Sequence, residues 1–180
     1  MISKKYLPNR RTGEEIIGHT RRHWFIFFRI FLFYLLLFLI PPVIYYFLTL
    51  TFLELLSGAI SQPLLLVALF AYYLMMLVFA FTIWMDNYLD VWTLTTNRII
   101  SREQNGLFNR VISEIDLSRV QDVTAEQRGP LATFLNYGEI YVQSAGEKER
   151  FVFEQVPDPN KIARMIQQLS VNAKKSTFNV

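Results

Sequence analysis

Residues Tyr88–Arg110 read "YLDVWTLTTNRIISREQNGLFNR". Leu89, Val91 and Thr93 fall on one face of an extended chain and Tyr88, Asp90 and Trp92 on the other, the period of two that marks a strand. Thr95-Thr96-Asn97 and Asn105-Gly106 are turn signals on either side of a second extended run, Arg98 to Gln104. The same grammar continues downstream. Val111, Ser113, Ile115 and Leu117 alternate with Arg110, Ile112, Glu114 and Asp116, and further strands are expected over 120–127, 139–144 and 150–156. Asn136-Tyr137-Gly138 and Ala145-Gly146-Glu147 supply the remaining turns. Six or more short strands at close spacing indicate a small antiparallel barrel or sandwich.

After the last strand the pattern changes to helical. In "VPDPNKIARMIQQL", Asp158 stands as N-cap and Pro159 at the first helical position, with Ile162, Met165, Ile166 and Leu169 on one stripe. One amphipathic helix therefore packs on the strands. The remainder, 171–180, lacks the stripe and reads as a flexible tail.

Upstream of Asp86 the chain is of a different kind. From Ile30 to Met85 the only charged side chain is Glu54. A soluble surface requires more polar groups than this. Ile30–Leu53 gives 24 uncharged residues, about 36 Å of helix at ~1.5 Å per residue and more than the ~30 Å of a bilayer core. Pro63–Met85 gives a second run of 23, and "ELLSGAISQ" connects the two. The apolar run is too long for a signal peptide. Two transmembrane helices in a hairpin are expected, about 30–53 and 63–85, with Pro41-Pro42 kinking or splitting the first.

Residues 1–29 form a basic segment, with seven Lys or Arg against two Glu, while the connecting loop has no Lys or Arg. The positive-inside rule places both termini in the cytoplasm of a multi-pass protein of the inner (plasma) membrane. Arg21, Arg22, Trp24, Arg29 and Trp84 are the expected membrane-interface residues. "TGEEIIGHTRRHWFIFF" reads as an interfacial helix. His19 and His23 share ligand spacing on such a helix, but no third ligand is near and no metal is assigned.

A β domain of 86–170, closed by one C-terminal helix behind two spans, has the element order of a pleckstrin homology (PH) domain. The stretch from Asp90 to Gly146 resembles the bacterial PH domains of the YdbS-like kind through a Thr-x-x-Arg turn at Thr95–Arg98, an Ile-x-Leu-x-x-Val segment at Ile115–Val120 and a Gly-x-Ile-x-Val strand at Gly138–Val142. The resemblance implies a membrane-anchored α+β protein with a PH-like antiparallel β-barrel or sandwich.

No nucleophile, phosphate loop or metal spacing is present, so a non-enzymatic protein without cofactor is expected. Residues 86–180 carry 11 Lys or Arg against 12 Asp or Glu, too little positive charge for nucleic acid. The leading expectation is an interaction or assembly module for membrane or cytoplasmic proteins, or for a second copy. A lipid-headgroup or small-ligand sensor, suggested by the resemblance, is the alternative. Arg98, Arg102, Trp92 and Phe108 are the candidate ligand or partner surface. Arg98 has a competing structural role, bonding the hairpin and the barrel rim.

Overall fold

The computed structural model describes residues 13–52, 58–145 and 151–178, with side chains described as far as Lys175. The chain divides into two units, residues 24–85 and residues 1–23 with 86–180.

The first unit is helical. α1 spans Trp24–Thr51, and α2 begins at Ser61 and ends at Leu89, its last residues belonging to the second unit. Both are long and apolar enough to cross a membrane. Ile26 is the one buried residue of α1, and α2 has none. α1 continues through Pro41-Pro42 instead of splitting. A proline removes the N–H that would bond the carbonyl four residues earlier, so Leu37 O and Phe38 O lose their helical partners. Two hydroxyls of α2 replace them: Tyr72 Oη donates to Leu37 O at 2.9 Å and Tyr73 Oη to Phe38 O at 3.1 Å. The Tyr73 ring also packs on Phe38, centroids 4.9 Å apart.

The second unit holds seven strands among the described residues. β1 (Ile16–Arg21), β2 (Val91–Thr95), β3 (Arg98–Gln104) and β4 (Arg110–Asp116) form one antiparallel sheet in that order. β5 (Val120–Glu126), β6 (Tyr137–Ser144) and β7 (Phe151–Pro157) form the other. A short helix, α3 (Pro130–Phe134), interrupts the second sheet's first connection, and α4 (Pro159–Phe178) ends the domain. The strands make two sheets, not one closed barrel.

The core lies between the sheets and α4. Trp92, Leu94, Ile99 and Ile115 of the first sheet meet Val123, Ile140, Val142, Phe153 and Val156 of the second, with Ala163 and Ile166 of α4. The Trp92 and Phe153 rings stack at 5.6 Å and join the sheets. At Gly138 the backbone of β5 comes so close that a Cβ would lie 2.2 Å from Glu126 O. Only glycine fits there.

Three sequence expectations change. Residues 16–21 are a strand, not part of an interfacial helix, with His19 opposite Thr93 and Arg21 opposite Val91. Tertiary pairing with β2 overrides the weak local preference of "IIGHTR". The first strand of the Tyr88–Arg110 stretch starts only at Val91, because Tyr88 and Leu89 complete α2. The expected tail continues α4 to Phe178, because Leu169 and Ala173 extend the apolar stripe onto the core. Ser170 Oγ and Lys174 Nζ also bond Val120 O, at 3.5 and 2.7 Å. Of the turns, Ala145-Gly146-Glu147 lies partly outside the described residues, as does Arg150.

Candidate functional site

The Thr95–Arg98 turn is built from the side chain of its first residue. Thr95 Oγ1 accepts from Arg98 N at 3.0 Å and from Asn97 N at 3.3 Å, which fixes the tight connection of β2 to β3. Glu14, just ahead of β1 and 1% exposed, approaches the same turn. Its carboxylate accepts from Arg98 Nε at 2.9 Å and Nη2 at 3.0 Å, and from Thr95 Oγ1 at 2.8 Å. Arg98 Nη1 reaches Glu114 on β4 at 2.5 Å. The Glu14 bond and charge raise the Arg98 guanidinium above its ordinary value, against the opposing effect of burial. Arg98 is therefore a buried tie between β1, β3 and β4, at only 2% exposure.

The opposite end of the domain is where the chain passes from β1 into α1 and from α2 into β2. Arg22 Nε and Nη2 donate to Asp90 Oδ2 at 3.0 and 2.8 Å, and Nη2 also reaches Glu154 Oε2 at 2.7 Å. Asp90 Oδ1 accepts from Gln104 N at 2.8 Å, so one buried carboxylate secures both chain passages and the end of β3. His23 N donates to Gln155 O at 2.7 Å, and the His23 ring stacks on Tyr137 at 5.2 Å. Burial lowers the His23 pKa from its ordinary value, and Asp158 partly offsets this.

A polar cavity of ≈ 370 Å³ opens beside this clamp. Asp86, Asp90, Glu103 and Glu154 give it an acidic lining, with Arg22 as the basic group, and Trp92 contributes to its wall. The carboxylates are engaged: Glu103 accepts from Ser101 Oγ at 2.7 Å, and Asp86 accepts from Gly106 N at 3.1 Å. Among the described residues no group of three or more His, Asp or Glu has metal-binding geometry.

The β3–β4 hairpin tip lies next to the cavity. Gln104 Nε2 donates to Gly106 O at 2.7 Å, Asn105 N donates to Asn109 O at 2.8 Å, and Gly106 takes φ 76°. This closed turn displays Leu107 and Phe108, the latter 99% exposed.

The four residues expected to form a ligand or partner surface do not come together as one. Trp92 is in the core and Arg98 in the ion cluster, so neither presents a surface; alternation placed Trp92 on a strand face without showing which face was inward. Arg102 lies on β3 opposite Ile112, and Phe108 lies at the hairpin tip beyond Gln104. Burial and the charge of the adjacent Arg110 push the Arg102 pKa down. Of the expected membrane-interface residues, Arg21 lies over the Tyr88 ring at 5.0 Å and Arg22 is in the clamp, while Trp24, Arg29 and Trp84 are exposed in their helical unit. Glu14, Asp86, Asp90 and Glu154 carried no local signal, since their partners lie far along the chain.

Residues 24–170 match the family model described as bacterial PH domain. The match starts after β1, although β1 completes the first sheet. Solved structures similar to this chain include a pleckstrin homology domain from Shewanella amazonensis SB2B, with 21% identity and TM-score 0.38 over 45% of this chain. The alignment spans 66% of that structure, just under two thirds of its length. Another is a DUF1696 family protein with a pleckstrin-homology domain from Shewanella loihica PV-4, with 18% identity, TM-score 0.36, and 47% and 70% coverage of the two chains. A comparison with curated proteins finds no match. With the family model matching most of its length, from the start of α1 into α4, the chain belongs to the bacterial PH domain family.

Proposed function

We propose that this PH domain is a non-enzymatic interaction module held at the cytoplasmic face of the inner membrane, with α1 and α2 crossing the bilayer as a hairpin and both termini inside. The observation that carries the proposal is the position of the hairpin in the fold. It connects β1 to β2, two neighbouring antiparallel strands. A membrane anchor there tethers the domain through two adjacent chain passages. The apolar side chains of α2, none of them buried, suit a lipid surrounding.

The headgroup-sensor alternative loses its leading residue, because Arg98 is committed to Glu14 and Glu114. Charge reversal there tests folding rather than ligand binding.

The chain contains no cysteine, so single cysteines introduced at Ser61 and Ser118 report topology without background. In intact cells an impermeant maleimide reaches Ser61→Cys, and Ser118→Cys reacts only after permeabilisation. Mild crosslinking of the tagged full-length chain in native membranes then recovers a stoichiometric protein partner. Failure to recover one overturns the interaction-module reading, and labelling of Ser118→Cys from outside overturns the topology.

A further inference from the structure

We infer that β4 is a docking edge: an extended segment of a partner protein, apolar and carrying an acidic residue, adds to the first sheet as a strand beside β4, with its carboxylate against Arg110. The inference deepens the interaction-module reading by naming the surface and the chemistry of the partner.

Hydrogen-bond parity is the first argument. Asn105 N donates to Asn109 O at 2.8 Å at one end of the β3–β4 ladder, and Leu117 N donates to Asn97 O at 2.9 Å at the other. Between them the register runs unbroken from Gln104 opposite Arg110 to Arg98 opposite Asp116. Antiparallel pairs alternate between bonded and non-bonded. Val111, Ser113 and Ile115 therefore bond β3 through the backbone, while the N–H and C=O groups of Arg110, Ile112 and Glu114 point away from it. Those groups bond nothing among the described residues.

The other edges are covered, which is the second argument. At the edge strand β5, Val123 N donates to Asp122 Oδ1 at 2.9 Å, Val123 O accepts from Gln167 Nε2 at 3.2 Å and Val120 O from Lys174 Nζ at 2.7 Å. β1 and β7 run beside each other, and His23 N bonds Gln155 O of β7 at 2.7 Å. Native edges are blunted by Pro, Lys, bulges or a covering element. β4 reads "RVISEID", pairs with β3 without a bulge, and leaves Val111 and Ile112 39% and 48% exposed. An added strand supplies the missing hydrogen bonds and covers both side chains.

Charge selects the partner. The exposed Arg110 guanidinium forms no ion pair among the described residues, and its charge reaches Arg102, whose pKa it helps to lower. Glu114 is already held by Arg98 at 2.5 Å. The edge thus presents an uncompensated positive charge at its hairpin end, which suits a carboxylate opposite Arg110 and an apolar residue opposite Ile112. A second copy fits less well. Antiparallel pairing of β4 with itself places the chain passages to the helices, at the Arg21–Val91 end of each sheet, at opposite ends of the joined sheet, whereas both copies' spans enter one membrane as proposed.

The test replaces Val111 with p-benzoylphenylalanine in the tagged full-length chain, with the same group at the exposed Ser118 as control, and illuminates native membranes. The expected adduct forms at 111 and not at 118, and its crosslinked peptide maps to an acidic, apolar segment of another protein. Ile112→Pro removes an N–H that points away from β3, so the domain still folds, as an unchanged near-UV melt verifies. The adduct should fall about tenfold in Ile112→Pro and in Arg110→Glu yet stay within about twofold in Ile112→Thr, because the contact is made by the backbone and by charge. Equal adducts in all three variants overturn the inference, as does an adduct joining two copies of this chain. A partner recovered by general crosslinking without an adduct at 111 overturns the docking edge alone. Recovery of no partner by either route overturns the interaction-module reading and the inference with it.

Discussion

Glu14→Gln removes the charge from a carboxylate that accepts three hydrogen bonds at 2.8–3.0 Å from Thr95 and Arg98, while nearly preserving its shape. The amide keeps one acceptor oxygen but turns an NH2 donor toward groups that are themselves donors. Arg98 then remains buried beside the Glu114 carboxylate, whose side chain is 35% exposed. Breaking a buried pair from one side costs about 3–5 kcal/mol. The surviving Glu114 contact and amide oxygen place this case near the lower end, about 3 kcal/mol. For a domain near 100 residues, that corresponds to a fall of roughly 12–24 °C in melting temperature. Near-UV circular dichroism of the full-length chain in nanodiscs is the suitable readout, since the stacked Trp92–Phe153 pair reports the β domain while α1 and α2 dominate the far-UV signal. Glu14→Met/Arg98→Met removes both charges together and should recover most of the loss. A Glu14→Gln melt within about 2 °C of the parent, or additive single and double effects, would refute the account of Arg98 as a buried tie.

Other perturbations address separate parts of the molecule. Gly138→Ala forces a Cβ against Glu126 O, and should cost about 3 kcal/mol in denaturant unfolding; a loss under about 1 kcal/mol would show that β5 yields easily. Tyr72→Phe and Tyr73→Phe should each weaken the helical hairpin by about 0.6 kcal/mol, read by detergent titration, and the effect should vanish in a Pro41→Leu/Pro42→Leu background where the carbonyls regain N–H partners. Because burial lowers the His23 pKa, the unfolded chain takes up a proton near pH 6.5 more readily than the folded one. Stability is therefore full above that value and falls as pH drops below it, and His23→Phe should flatten melting temperature between pH 7 and 5.

Much of this architecture is visible in the chain because its signals are local. The charge-free runs locate α1 and α2, which begin at Trp24 before the first run and end at Leu89 after the second; alternation outlines β3 and β4 within a residue, and Pro159 with the Ile162–Leu169 stripe locates the start of α4. β1 is hidden for a physical reason. "IIGHTR" contains a glycine, adjacent isoleucines and basic residues, and its strand conformation exists only because β2, about 70 residues later, supplies hydrogen-bond partners. The same dependence conceals the site. Arg22–Asp90, Arg98–Glu14 and Asp86–Gly106 join positions with no regular spacing, so none of these pairings can be read from one residue alone. Phe108 is the opposite case. The Asn105-Gly106 turn marks its position, but only the folded domain shows that its side chain is 99% exposed.

The separation of β1 from β2 by the hairpin has a consequence for biogenesis. With α1 and α2 in the bilayer as proposed, β1 meets its partner only when the chain has crossed an even number of times. A single crossing would strand Glu14 and β1 on the wrong side, leaving Arg98 charged in an incomplete domain and the edge of β2 open to aggregation or proteolysis. With the spans inserted as proposed, folding of the β domain reports the parity of insertion and couples membrane topology to survival of the protein.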